Sequence, residues 1–488
     1  MNEGNEVTRD GDQGIGATHS TGEGGEPAPR DPLKGRGGRI VDPLGGKVAG
    51  RSSPTSTSTK LRRVARLSRE RPEMVWTTLN HLIDIELLQE AYRLVRKDGA
   101  VGVDHVTAEQ YAQNLTSNLE CLLRRFKDGS YHAPPVRRIY IPKERGAERP
   151  IGIPTFEDKL LQRAVMMVLE AVYEEDFLDC SYGFRRGRSP HKALHSLRDG
   201  LMGMNGGFVL EIDIRSFFDE IDHTVLRTIL DCRIRDGVIR RAIGKWLRAG
   251  VFEKGEHRQS DRGSPQGGVI SPLLANVMLH SVLDVWFRDM VCPRLRGMAF
   301  MVRFADDAVL AFEHEDDAQR VHAVIGRRFE RFGLRLQEEK TRLVGFKRPT
   351  LGGSRRRGDS IGPRTFDFLG FTHLWARSRR GRNVIKRQTS RTRLSRGLRA
   401  VSTWCRNSRH LPLVDQHRLL CRKLQGHYAY FGIRGNSHKV AGFARAVAAI
   451  WRRWIGRRSH AGKMQWARFS QIRGRFPLPP PRVVHVSV

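Results

Sequence analysis

The chain has 488 residues, enough to bury a large core, and its length suggests about two to four domains. Its 86 Lys and Arg against 52 Asp and Glu give a formal charge of +34 and a pI near 10.9, an excess that favours a polyanionic partner, nucleic acid first. Six scattered cysteines without a Cys-x-x-Cys pair exclude the usual disulfide and zinc frameworks and suit a reducing interior, and neither a membrane-spanning apolar run nor a signal-peptide core is present.

Residues 1–70 are rich in Gly, Ser, Thr, Pro and Arg and poor in large apolar side chains, so a disordered basic tail is expected. Folded sequence begins near Met74, and "IELLQEAYRLV" has helical apolar spacing. "VRRIYIPKERGAERPIGIP" (136–154) reads as two strands around a basic loop carrying Lys143, Arg145 and Arg149. Thr155 and Asp158 follow in capping-box spacing and open a helix. "FVLEIDI" (208–214) alternates as a strand, with Glu211 and Asp213 on the face opposite Phe208, Leu210, Ile212 and Ile214. In "GSPQGGVISPLLANVMLH" (263–280), Ser271 and Pro272 read as cap and first helical residue. "MVRFADDAVLAF" (301–312) reads as an apolar hairpin bent at Asp306 and Asp307.

Beyond Phe346 the character changes. From Lys347 to Arg399, sixteen Lys and Arg face two acids, a bias suited to a nucleic-acid surface. "HRLLCRKLQGHYAYFGI" and 441–459 are helical, the latter setting Phe443, Val447, Ile450, Trp451 and Trp454 against arginines. The closing "RFPLPPPRVV" favours an extended strand.

Two carboxylates beside an apolar core repel one another and lose hydration, which is costly without a cation. The pair Asp316–Asp317 serves as a control: it lacks flanking apolar strands and reads as a helix start, favoured by the macrodipole. An all-oxygen set of Asp213, Asp306 and Asp307 suits Mg²⁺, and two such ions can stabilise both oxygens of a phosphoryl transfer. Gln266, between a Pro and two glycines, sits where backbone can approach a ligand closely, although such a segment is more often an ordinary turn. The fingertip loop is likewise more often merely solvated, and the Phe217–Phe218 pair is more often core than site.

It is the order of these pieces that is specific. "IPKERGAERPIGIPTFEDKLLQRAV", "SYGFRRGRSPHKAL", "LEIDIRSFFDEIDH", "GSPQGGVISPLLANVMLH", "RFADDAVL", "LRLQEEKTRLV" and "FDFLGFTHLWA" resemble successive blocks of the group II intron-encoded reverse transcriptase/maturase family. "VGVD" (101–104) resembles the block before them, and "RKLQGHYAYFGIRGN" the maturase or thumb domain. The resemblance covers about Met74 to Trp454. It implies an α+β right-hand polymerase: fingers at 71–205, palm at 206–375, thumb/maturase domain at 376–455 and a short basic segment at 456–488.

By the same resemblance Asp213, Asp306 and Asp307 match the catalytic aspartates. Asp213, Asp306 and the Ile214 carbonyl match ligands of two Mg²⁺ ions. Phe218 matches the ring that excludes a ribose 2′-hydroxyl, and Gln266 the turn packed on the incoming nucleotide. Lys143 and Arg149 match the fingertip grip, Lys340 the lysine near pyrophosphate, and Phe368, Leu369 and Gly370 the primer grip within 366–373. Two residues depart from the pattern: Phe304 stands where Tyr is usual, and Gln337 where Asn is usual before "EEKT".

The implied activity is RNA-directed DNA synthesis from deoxynucleoside triphosphates on an RNA template with a DNA primer. The implied partners also include the parent intron RNA, whose splicing and mobility the protein assists, and a DNA target. A prokaryotic cytoplasm, with nucleoid association on DNA, is expected, without a membrane. The rivals are a retron, diversity-generating or phage-defence reverse transcriptase, a splicing factor with a dead polymerase, and a membrane-surface protein. The ~35 residues after Trp454 are about half of the smallest unstapled cores. They hold no Cys or Asn, so no endonuclease domain is expected, and mobility would use a primer made elsewhere.

Overall fold

The computed structural model describes residues 56–142, 148–253, 255–258, 262–263, 267–349, 365–458 and 464–485. Its first element corrects an expectation. Residues 56–70 are not tail but helix α1 (Ser56–Glu70). Leu61, Val64 and Leu67 recur three apart, and that short stripe packs against the helix α5 described below. Composition over 70 residues masked a local period. Lys60 pairs with Asp84 at 2.7 Å and Arg69 with Glu175 at 2.7 Å, fixing both ends.

Helices α2 (Ile85–Leu94), α3 (Ala108–Ala112) and α4 (Leu115–Asp128) follow, then the antiparallel hairpin β1 (Val136–Pro142) and β2 (Glu148–Ile153). Helix α5 (Phe156–Asp176) is capped by Thr155, whose hydroxyl accepts from the Asp158 amide. The Asp158 side chain does not complete a capping box. It turns inward, accepting from Trp246 Nε1 at 2.8 Å and Gln162 Nε2 at 3.0 Å. Burial pushes its carboxyl up to about 6. Gln162 in turn accepts from the Val269 amide at 2.8 Å, just past the SPQGG turn.

Helix α6 (Pro190–Gly203) precedes β3 (Phe208–Ile212), the short α7 (Phe217–Glu220), α8 (His223–Asp231), α9 (Gly237–Leu247) and the small strands β4 (Val251–Glu253) and β5 (Glu256–Arg258). Strands order β2-β1-β4-β5, with β1 and β4 parallel. Helix α10 (Ser271–Leu279) includes Ser271 as its first residue, so the serine is not the cap; Ile270 stands there. Helix ends vary by a residue or two where Pro sets the entry.

The central sheet is fully antiparallel, in the order β6-β7-β3-β8: β6 (Ala299–Phe304), β7 (Asp307–Phe312) and β8 (Arg342–Gly345), with α11 (Glu315–Glu330) between the last two. Both its faces are covered. Phe208, Leu210, Ile212, Met301 and Leu310 join the large core with α5, α10 and α11. Val209, Val302, Val309 and Ala311 pack on α6 and the next sheet, which explains why β3 is buried beyond its alternation. As the control pair implied, Asp316 and Asp317 lie in the first turn of α11.

That next sheet, β9 (Phe366–Phe368), β10 (Phe371–Arg377) and β11 (Asn383–Thr389), runs past residue 376. The helices expected from 376 start instead at α12 (Arg391–Asn407), followed by α13 (Leu413–Phe431) and α14 (Ser437–Gly456). Trp451, fully buried, donates to Gln416 at 2.9 Å, and Gln416 donates to the carbonyls of Ser408 and Leu411, closing the α12–α13 turn. The terminal segment is also part of this unit. Helix α15 (Trp466–Arg475) inserts Phe469 into its core. Residues 476–485 then run extended along α13, bonding from Tyr428 Oη to Pro479 O (3.1 Å) and from the Val484 amide to Gly432 O (2.6 Å). His485 ends the run stacked 3.7 Å from His191 of α6.

The burial of Val64 yields a test. Val64→Asp places an unpaired charge against α5 and should cost about 3–5 kcal/mol of stability, whereas Arg63→Asp on the exposed side should stay within about 0.5 kcal/mol. Urea unfolding of both variants would show it; equal midpoints would return α1 to the tail.

Candidate active site

The expected hairpin forms. Strands β6 and β7 pair from Ala299–Phe312 to Phe304–Asp307, leaving Ala305 and Asp306 as a two-residue turn. Ala305 has φ +58°, a left-handed conformation in which glycine is the usual residue. Such strain of ~1–3 kcal/mol persists only where the surroundings enforce it. Here the enforcing group is Arg303, fully buried, whose five N–H donors are all used. It pairs with Asp284 through two bonds (2.7 and 2.6 Å) and donates to Asn276 Oδ1 (3.0 Å), Ser181 Oγ (2.9 Å) and the Ala305 carbonyl (3.0 Å). Gly183 backs the turn: a Cβ there would lie 2.3 Å from the Ala305 nitrogen. Asn276 donates to the Gly183 carbonyl at 2.8 Å and closes the frame.

This frame presents the three aspartates at one end of the central strands. The last register pair of β3 and β7 is Ile212–Ala308, so Asp213 and Asp307 lie one step beyond it. Burial raises the Asp306 carboxyl, as does Asp213, while Arg149 and Arg303 oppose the rise. Asp307 is exposed at one edge yet surrounded elsewhere. Burial, then Asp306 and Asp213, push it up to about 7, against Arg393 and Lys340. Lys340 Nζ sits 2.5 Å from Asp213 Oδ2, a cation already at the cluster.

Asp213 is also fixed from below. Its carbonyl accepts from the Gln337 amide at 2.8 Å, and the Arg215 amide donates to Arg335 O at 2.9 Å. These two bonds frame the bridge between Ile214 and Leu336 and do not use the Ile214 carbonyl. The contact from residue 337 is a backbone one, so Gln in place of Asn leaves it intact. Phe304 keeps its ring packed on the core behind the sheet.

The remaining expected residues divide. Arg149 lies near enough for its charge to act on Asp306. Phe218 is 9% exposed, its ring set edge-on to Phe217 and packed in the large core. Phe368 is buried, while Leu369 and Gly370 form a left-handed turn (φ +50° and +80°) between β9 and β10. Lys143 and Gln266 lie outside the described residues. Among the described residues no three His, Cys, Asp or Glu side chains converge as a ready-made metal cage. The chemistry of the donor set still fits a cation, since raised Asp306 and Asp307 register the repulsion that a positive charge would relieve.

Sequence reasoning missed Arg303, Asp284, Asn276 and Ser181. Each was inside or near a quoted block, but only the fold shows that they meet. It also missed a role for Glu211, whose carboxylate bonds Arg342 and accepts from the Asp367 amide at 2.9 Å, tying β3 to β9.

Residues 141–373, the segment containing all three aspartates, match the family model described as reverse transcriptase (RNA-dependent DNA polymerase). That segment carries the sequence pattern of a reverse transcriptase domain. Polymerases with this domain generally use divalent metal ions. The group II intron-encoded protein LtrA of Lactococcus lactis subsp. cremoris is 38% identical over 231 residues, 46% of this chain and 38% of its own length. Protein YkfC of Escherichia coli K12 is 38% identical over 201 residues, 40% of this chain and 53% of its own. The chain thus spans about half or less of the curated relatives it matches. A telomerase structure from Candida albicans superposes at a TM-score of 0.38 and 15% identity over 76% of this chain and 66% of that one, a likeness that carries no argument. Among the described residues no helix is long and apolar enough to cross a membrane.

The Arg303 frame can be tested apart from the carboxylates. Arg303→Met leaves Asp284 buried and unpaired and should cost about 3–5 kcal/mol. Arg303→Met with Asp284→Leu should recover much of that loss in thermal melts. Polymerisation should stay depressed in both, because nothing then grips the Ala305 carbonyl. Full activity in the double variant would show that the turn holds itself.

Proposed function

We propose that this protein is an RNA-directed DNA polymerase of a group II intron, which also binds the intron RNA and assists its splicing and mobility. The observation that carries the reading is the placement of Asp213, Asp306 and Asp307 at one strand end, within electrostatic reach of one another, of Lys340 and of Arg149, inside the matched segment. Support for the intron role comes from the resemblance to intron-encoded proteins and from exposed arginines on α12.

In this reading Asp213, the Ile214 carbonyl and Asp306 would hold two Mg²⁺ ions. When bound, the ions stabilise charge on the attacking and leaving oxygens. Asp307 supports them from the adjacent strand. Lys340, released from Asp213, faces the leaving pyrophosphate as a point charge, while Lys143 and Arg149 steady the triphosphate. Gln266 packs on the incoming deoxynucleotide and Phe218 excludes its 2′-hydroxyl by contact. Phe368, Leu369 and Gly370 seat the primer end. The template RNA, the intron RNA and the DNA target are bound chiefly through phosphate contacts to the basic surface.

Asp306→Ala should abolish primer extension on an RNA template while RNA binding, measured by filter retention, stays within about twofold, because the basic surface that carries it is untouched. Extension near the wild-type rate would remove the catalytic assignment.

A pH test follows from Asp307. With a carboxyl near 7 when folded and metal-free, and 3.8 as its ordinary value, the folded chain holds a proton that the unfolded chain has lost. Its stabilising contribution is complete below the lower value and vanishes as pH rises through the upper one. In EDTA the wild type should lose stability between about pH 4 and pH 7, and Asp307→Asn should lose less. Solvent at its open edge screens part of this effect, so direction is the test. Mg²⁺ at higher pH should restabilise the wild type more than the variant, as seen in melting temperatures.

A further inference from the structure

The turn between β9 and β10 is held from the helical unit. Tyr430 of α13 donates its hydroxyl to the Leu369 carbonyl at 2.9 Å, and the Ser390 amide donates to the Gly370 carbonyl at 3.0 Å. Ser390 also caps α12, its hydroxyl accepting from the Arg393 amide. One turn into that helix, the Arg393 side chain crosses Gly370 at close range. A Cβ on Gly370 would lie 3.2 Å from Arg393 Cγ and 3.3 Å from Nε. With φ +80° the position already favours glycine, and the approaching arginine adds a second reason.

The charge of the Arg393 guanidinium reaches groups on both sides of the turn. Its charge acts on both the Asp307 carboxyl and the Tyr430 hydroxyl, which also feel one another. Arg393 therefore lies against the primer-grip turn and within electrostatic reach of Asp307. It is exposed, and among the described residues its side chain makes no hydrogen bond or ion pair. A planar fork of five donors is left exposed beside the turn, the geometry that suits a phosphate bidentately.

We propose that Arg393 is a phosphate-binding residue for the primer strand, gripping one backbone phosphate among the last linkages before the 3′-hydroxyl. The inference rests on the polymerase reading above and adds to it a residue from outside the matched segment 141–373. It makes α12 part of primer placement: the same helix start that bonds the turn also holds the strand lying on it. The competing role is simple charge balance, in which Arg393 only offsets Asp307.

Primers carrying a single neutral methylphosphonate at each of the last four linkages separate these roles. Wild type should lose about tenfold or more in extension efficiency at one linkage, the scale of a charge-assisted bond. Arg393→Gln should lose a similar factor on the all-phosphate primer, through primer affinity rather than the KM for deoxynucleotide. It should lose little more when that same linkage is neutralised. Arg393→Lys should recover part of the loss. Losses that add at every linkage, or an Arg393→Gln defect confined to the deoxynucleotide KM, would overturn the phosphate contact. A wild type that extends no primer would overturn the polymerase reading beneath it.

Discussion

One fully buried arginine holds the arrangement at the centre of this protein. Arg303 spends all five donors on Asp284, Asn276, Ser181 and the Ala305 carbonyl. Neutral side chains of similar volume could fill the same space at comparable stability, because desolvating an ion pair offsets most of its attraction. What they could not do is bring three separate stretches of chain to one point in one orientation. The residue after the arginine's strand must sit left-handed so that Asp306 projects beyond the sheet. A directed grip on its carbonyl enforces that where hydrophobic contact would not.

Much of this was legible in the sequence and some was not, for physical reasons. Strand β3 and the hairpin were readable because period-two alternation and an apolar hairpin interrupted by carboxylates are local signals. The aspartates were readable because unpaired like charges beside a core demand an explanation. Arg303 was not. In sequence an arginine within an apolar strand looks like an edge residue, and its partners lie 19, 27 and 122 positions away. Helix α1 was hidden by averaging, since a tail-like composition up to Pro54 swamped the stripe of Leu61, Val64 and Leu67. Asp158 misled in the opposite sense: its spacing fitted a cap, but Trp246, far along the chain, drew its side chain inward.

The contacts around Gly370 show how two folding units share one task. The β9–β10 turn has strained backbone at Leu369, and both neighbouring carbonyls are bonded by the helical unit, through Tyr430 and Ser390. Glu211 reaches β9, the strand that leads into the turn, from the central sheet. The turn is therefore a joint whose position is set from both sides. A shift of the helices against the sheet would be transmitted to it directly.

The extended run 476–485 gives this joint a place in time. A ribosome releases the chain from its N-terminus, so the sheet carrying the aspartates can form while residues 476–485 are still unmade. The run that lies along α13 and meets α6 through His485 can dock only after residues 476–485 have been made. Before that, α13 already meets α6 through His191, whose ring nitrogen lies 2.8 Å from the Tyr430 carbonyl, but it lacks the covering layer and the bonds from Tyr428 and Gly432 to the run. The central sheet and the β9–β10 turn can therefore be assembled before this last layer is laid along α13.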